Sequence, residues 1–317
     1  MLTPRKLKLL YQQGQNISAI LRQEQNTQHN TEEIIEVSYD LQAGSYIAAM
    51  KHGVMAQLKK DYASEIVRTI LSLCNPTSIL EAGVGEATTL FEVIKSFPNQ
   101  GIKSYGFDLC WSRVAHAKAW LKQQCISNVT LCTGSLFHIP FSDNSIDVVY
   151  TSHSIEPNGG FEEPILRELY RVAKNYLVLL EPGYELASAQ ARERMDSHGY
   201  CKNLVGIADK FGWTVVKHQL FPYTAIKLNP TAITVIKKQL EDVGKEATCV
   251  LACPKFKTPL EKIGEVFFSP EALCVYPVLA GIPCLRVENA IVASHYPELM
   301  NLNQSYNNST TFEVQNF

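Results

Sequence analysis

LEAGVGEATT, residues 80–89, joins a short apolar run to a segment in which Leu90, Ile94 and Phe97 recur at helical spacing. TSILEAG (77–83) thus reads as a strand, and the glycines as the turn into a helix. Gly83 and Gly85 permit a tight turn and the close approach of a ligand to the backbone. The helix start behind them offers free N–H groups. Two departures separate the stretch from a dinucleotide fingerprint. Glu81 places a carboxylate at the strand's end that suits a cationic ligand group and would repel a pyrophosphate, and Thr88 stands where the third glycine would be. An NAD-dependent oxidoreductase is therefore the least favoured reading.

Outward from this turn, strand and helix signals alternate. KSYGFDL (103–109) is a second strand ending in Asp108, an acid placed to accept hydrogen bonds from ribose hydroxyls. NVTLC (128–132), SIDVVYTS (145–152) and NYLVLLEPG (175–183) follow as strands, separated by amphipathic stretches such as PILRELYRVA. Alternation of this kind predicts a parallel sheet covered on both faces. TVVKHQLF (214–221) and TAITVIKK (231–238) lie too close for a parallel crossover, so they should pair antiparallel and end the sheet.

The E-x-G-x-G motif, the acidic strand end YGFDL, the block GSLFHIPFSDNSIDVVYTSHSIE and the piece ILRELYRVAKNYLVLLEPG together resemble a class I S-adenosylmethionine-dependent methyltransferase. The resemblance runs from about residue 77 to 240. It implies an α/β Rossmann-like fold, mostly parallel with a terminal antiparallel strand, and S-adenosylmethionine as cofactor. It also implies that Glu81, Gly83 and Gly85 frame the amino-acid end, Asp108 the ribose, and Leu109 one face of the adenine. The family often has an aspartate after the glycine ending the third strand. Here Ser135 follows Gly134, so adenine contacts would fall to the Ser135 hydroxyl and the Leu136 backbone. Ser152 and His153 would lie beneath the sulfonium, and Tyr39 and Tyr46 would either form a lid over the cofactor or pack a helix onto the sheet.

The acceptor would sit over the ends of the fourth and fifth strands, where HSIEPNGG (153–160) and EPGYE (181–185) emerge. His153 and Glu156 are the candidate proton acceptors, with shaping the pocket and capping a helix as their equal structural alternatives. Asn158, Glu181 and Tyr184 are candidate substrate contacts.

The rest of the chain divides into a helical extension or lid (1–75), the cofactor domain (76–240), a linker (241–252), a small β-rich module (253–298) and a polar tail (299–317). The module's CP-x-x-K-x-PL opening and YPV-x-x-GIP-x-L close resemble the zinc-ribbon-derived activator subunit of tRNA and translation-factor methyltransferases. Phe256 breaks the ribbon's first cysteine pair, so no metal is expected. Covering the catalytic domain, shaping its pocket or mediating homo-oligomer formation are the roles it suggests.

The 317 residues are 46% hydrophobic and 19% charged, with a net charge of −2. That balance supplies no footprint for nucleic acid, and no run is long enough to span a membrane. Nine cysteines without a signal sequence suggest reduced thiols in a cytoplasmic protein. Methyl transfer to an O or N atom of a small molecule, such as a sugar or other bacterial metabolite, is the leading reading. RNA methylation and a non-catalytic cofactor-binding protein are the alternatives.

Overall fold

In the computed structural model, residues 2–99, 101–239 and 249–301 are described. A seven-stranded sheet organises them, in the order β3-β2-β1-β4-β5-β7-β6. Its strands are β1 (Ser78–Ala82), β2 (Lys103–Asp108), β3 (Val129–Thr133), β4 (Ile146–Ser152), β5 (Ala173–Pro182), β6 (Thr214–Leu220) and β7 (Thr231–Lys237). The first five run parallel. β7 is antiparallel to both β5 and β6, as the short β6–β7 connection requires.

Strand order reverses between β1 and β4, so the connections leaving those two carboxyl ends diverge and open a crevice. This switch point sets the site. The central strands are buried on both faces, which explains their continuous apolar runs. On one face Ile79, Val148 and Val178 pack with Ile66, Ile70, Leu90 and Val114. These belong to α5 (Gly53–Leu73), α6 (Thr88–Ser96) and α7 (Trp111–Gln123). On the other, Leu80, Val149 and Leu177 meet Ile165 and Leu169 of α8 (Glu162–Val172).

The N-terminal extension consists of α1 (Pro4–Gln12), α2 (Ile17–Glu24), α3 (Glu32–Asp40) and α4 (Ser45–Ala49), followed by α5. Thr3, Asn16 and Thr31 cap the first three, each side chain accepting a backbone N–H. α1 to α3 share a small core of Leu7, Ile17, Leu21 and Ile34. The polar stretch QEQNTQHNTEE (23–33) ends in the Thr31 cap, with Glu32 already in the first turn of α3.

The C-terminal segment forms an antiparallel sheet of four strands, ordered β13-β10-β9-β8, and a hairpin of β11 and β12. The ranges are β8 (Glu261–Ile263), β9 (Val266–Ser269), β10 (Cys274–Tyr276), β11 (Val278–Leu279), β12 (Ile282–Pro283) and β13 (Ile291–Val292). The segment is annexed to the large sheet rather than set apart from it. Leu285 N–H donates to Thr133 O at 3.2 Å and Ala252 N–H to Pro140 O at 3.0 Å. Cys253, Tyr276 and Leu285 join the same core as Leu80 and Val149.

All nine cysteines are free thiols. Cys253 Sγ lies 3.4 Å from the Tyr276 hydroxyl, while Cys274 turns to Ala272 O and Cys284 to Ile282 O. Among the described residues no cluster of His, Cys, Asp and Glu is placed to hold a metal ion, and no helix is long and apolar enough to cross a membrane. Most of the expected linker (241–248) and of the polar tail (302–317) lies outside the described residues.

Candidate active site

The loop after β1 is built by its glycines. Gly83 and Gly85 have φ of +74° and +52°, in the left-handed region that glycine enters without strain. A Cβ on Gly83 would fall 2.2 Å from Ser154 Cβ, so the loops after β1 and β4 touch at a point where only hydrogen fits. Gly83 and Val84 both donate to Phe107 O, at 2.9 and 2.8 Å, tying the loop to β2. Asp108 then receives Gly85 N–H on Oδ2 at 2.8 Å and Cys110 N–H on Oδ1 at 2.9 Å. The acid at the end of β2 thus stitches two ligand-facing loops together. Each of its oxygens keeps a second lone pair.

Glu81 is buried and accepts the Tyr150 hydroxyl at 2.9 Å. Burial pushes its carboxyl up to about 8, against the pull of Tyr150 and of Lys59. Lys59, from α5, donates to Thr89 Oγ1 at 3.0 Å, and burial holds its amine below the usual lysine value. An acid and a base therefore stand side by side next to the glycine loop.

Two cavities meet here. The first is lined by Glu32, Ile35, Asp108, Leu109, Leu136 and Phe137. The second, of ≈ 320 Å³, runs from Glu81, Gly85 and Lys59 past Ser152 and Glu156 to Met50, Met55 and Ile226. Gly83, Tyr39, Arg113 and His153 line both. Tyr39 and Tyr46 both stand against the buried Arg113 guanidinium, their ring centroids 5.1 and 4.2 Å from it. Glu86, 3.7 Å from Arg113, accepts the backbone N–H groups of Gly44 and Ile47 at 3.0 and 2.7 Å. The helical extension is thereby clamped against the glycine loop as a wall of the site.

His153, at the end of β4, takes a φ of +58°, unusual for a residue with a side chain. Its Nδ1 pairs with the Glu156 carboxylate, and its Nε2 is 2.9 Å from Thr231 Oγ1. Burial alone would favour the neutral ring, but Glu156 outweighs it and holds the imidazole above its usual value. Against its own burial, Glu156 is held below the ordinary carboxylate range by His153, Tyr200 and Asn229. The contact favours the protonated imidazole beside the ionised carboxylate, each group stabilising the other's charged form.

Glu181 lines neither cavity. Its carboxylate receives the N–H groups of Ser154, Ile155 and Glu156 at 3.1, 3.2 and 2.9 Å and so shapes their loop. Tyr184 also lies outside both cavities and donates to Asp196 at 2.8 Å. Asn158 is buried, donates to Ser154 O, and lines the first cavity, away from the apolar mouth of the second. Ser135 is committed as well: its oxygen accepts Phe137 N–H at 3.0 Å and its hydroxyl donates to Glu32. Lys59, Glu32 and Arg113 were not singled out from the sequence, because each arrives from a helix whose packing carries it to the loop; Glu86 lies in the loop itself, but its partners on the helical extension are distant in sequence.

The residues suit S-adenosylmethionine. Arg113 Nε and Nη2 are buried without hydrogen-bond partners beside the cavities, the missing Cβ at Gly83 lets the loops after β1 and β4 close on each other, and the acids Asp108 and Glu81 line different cavities. Residues 79–176 match a family described as a methyltransferase domain. Among solved structures, the chain is similar to magnesium protoporphyrin IX methyltransferase from Synechocystis, crystallised with S-adenosylhomocysteine. That match has 13% identity and a TM-score of 0.50, covering 66% of this chain and 100% of the other. It is also similar to a methyltransferase from Aquifex aeolicus described as SAM-dependent, at 21% identity and a TM-score of 0.43, covering 56% and 89%. No curated protein matches the sequence. Residues 79–176 thus match a methyltransferase domain, and the seven-stranded sheet has the Rossmann-like fold of the similar methyltransferase structure.

Proposed function

We propose that this enzyme methylates an oxygen or nitrogen atom of a small-molecule acceptor with an apolar body. The observation that carries the reading is the pair of adjoining cavities with Asp108 in one, Glu81 in the other and Gly83 between them. When bound, S-adenosylmethionine supplies an electrophilic methyl group on a sulfonium.

Asp108 accepts from the ribose hydroxyls through its remaining lone pairs, and Leu109 and Leu136 bracket the adenine. Glu81 receives the ammonium, and Lys59 beside it answers the carboxylate of the same amino-acid end. Held by these residues, the cofactor would leave the rest of the second cavity to the acceptor. There the acceptor meets a polar floor of His153, Glu156, Asn229 and Thr231 and a wall of Met50, Met55, Ala225 and Ile226. Such a wall favours an apolar body over a bare sugar. The volume of ≈ 320 Å³ suits a small molecule, and the net charge of −2 gives RNA no electrostatic welcome.

The His153–Glu156 ion pair anchors and orients the acceptor. Methyl transfer depends on alignment and exclusion of water, which the clamped Tyr39 and Tyr46 wall supports. The test is a screen of acceptors with methyl-labelled cofactor. Label should pass to hydroxyl or amine compounds with apolar rings or chains. Transfer only to bulk RNA, or to none of the small molecules, would overturn the reading.

A further inference from the structure

Adenine presents an exocyclic amino group, a donor of two hydrogen bonds. If buried, that group needs an acceptor. In the first cavity Asp108 is engaged with Gly85 and Cys110 at the end of β2. Beyond the apolar walls of Leu109, Leu136 and Phe137 the same cavity is lined by a second carboxylate, Glu32. Ser135 follows the glycine at the end of β3, and its hydroxyl donates to Glu32 Oε1 at 2.5 Å. The Ser135 oxygen already takes Phe137 N–H at 3.0 Å, which leaves it one neutral lone pair against the charged oxygens of Glu32. Instead it holds a carboxylate brought from the first turn of α3.

We propose that Glu32 is the residue that selects adenine, by accepting a hydrogen bond from its amino group. The inference rests on the cofactor assignment above and adds to it. The helical extension then supplies part of the cofactor's recognition as well as a wall of the site. Glu32 is well suited to this: it is partly buried, its Oε1 is fixed by Ser135, and its Oε2 is left for the ligand. A carboxylate can only accept, so a ring bearing an oxo group at that position would face an acceptor with an acceptor.

The experiment compares S-adenosylhomocysteine with its inosyl counterpart, in which the amino group is replaced by oxygen, by calorimetric titration of the full chain. Wild type should prefer the adenosyl ligand by about ten- to a hundredfold, the range for one hydrogen bond to a charged acceptor. Glu32→Gln can present either an acceptor or a donor, and the preference should fall to within about threefold. Glu32→Ala should bring a similar collapse while the thermal midpoint stays within a few degrees of wild type. A wild type that binds both ligands equally, or a Glu32→Gln protein that keeps the full preference, would overturn the proposal. Failure of the wild type to bind S-adenosylhomocysteine at all would instead refute the cofactor assignment beneath it.

Discussion

Asp108→Asn is the substitution whose consequences the geometry specifies most closely. The two side chains have the same shape, yet the carboxylate accepts one backbone N–H on each oxygen, from Gly85 at 2.8 Å and Cys110 at 2.9 Å. Asparagine has one oxygen. Whichever way the amide turns, its NH₂ faces an N–H, and one buried donor loses its partner. The cost to stability should be about 1–3 kcal/mol, the penalty for a buried group left unpaired. With about 2–4 °C of melting temperature per kcal/mol for a chain of this general size, the midpoint should fall by several degrees. A hydrogen bond from the ribose to a charged acceptor is lost as well, worth about 1.5–3 kcal/mol, or roughly ten- to 150-fold in affinity. Scanning calorimetry and titration with S-adenosylhomocysteine read the two effects separately. An Asp108→Asn protein that melts with wild type and binds within about threefold of it would refute the reasoning.

The Glu81 carboxyl, raised to about 8, should carry a proton in the empty protein at pH 6 to 7, so binding of the ligand's ammonium should release that proton. Affinity for S-adenosylhomocysteine should climb by up to about tenfold per pH unit below 8 and then level. Glu81→Gln should flatten the profile, and a flat wild-type profile would count against the contact. In the ligand-free protein the sign is opposite. A carboxyl raised from 4.5 to about 8 contributes stability at low pH that is lost as pH rises through that window, and Glu181, raised to about 7 by burial, adds in the same direction. Thermal midpoints that rise from pH 5 to 8 in the wild type but not in the Glu81→Gln protein would contradict this. Because His153 Nδ1 and Nε2 are already engaged by Glu156 and Thr231, His153→Ala and Glu156→Gln should chiefly raise KM once an acceptor is known. A loss of about 10²-fold or more in kcat at unchanged KM would instead assign them the general-base role.

Much of the fold was legible because its signals are local. The two runs at 214–221 and 231–238 could only pair antiparallel, and β6 and β7 do so at the sheet's end. The glycine turn and the acids Glu81 and Asp108 were readable for the same reason, since each follows directly from a strand end. The rest of the site depends on packing between distant segments. Lys59 and Glu32 belong to helices whose amphipathic pattern says which face is buried but not what that face touches. Glu181 lies in the last residues of β5 and reads as a substrate contact, yet three backbone N–H groups of the neighbouring loop claim its carboxylate. Ser135 marked a departure from the family pattern, and only the tertiary fold shows that it holds Glu32.

The central claim is that the crevice between β1 and β4 holds S-adenosylmethionine, and titration of the purified full chain with S-adenosylhomocysteine and, separately, with NAD tests it most directly. The account predicts saturable binding of S-adenosylhomocysteine, weakened by Asp108→Asn, and no measurable binding of NAD, whose pyrophosphate would meet Glu81 beside the glycine loop. Tight NAD binding with no response to S-adenosylhomocysteine would contradict it.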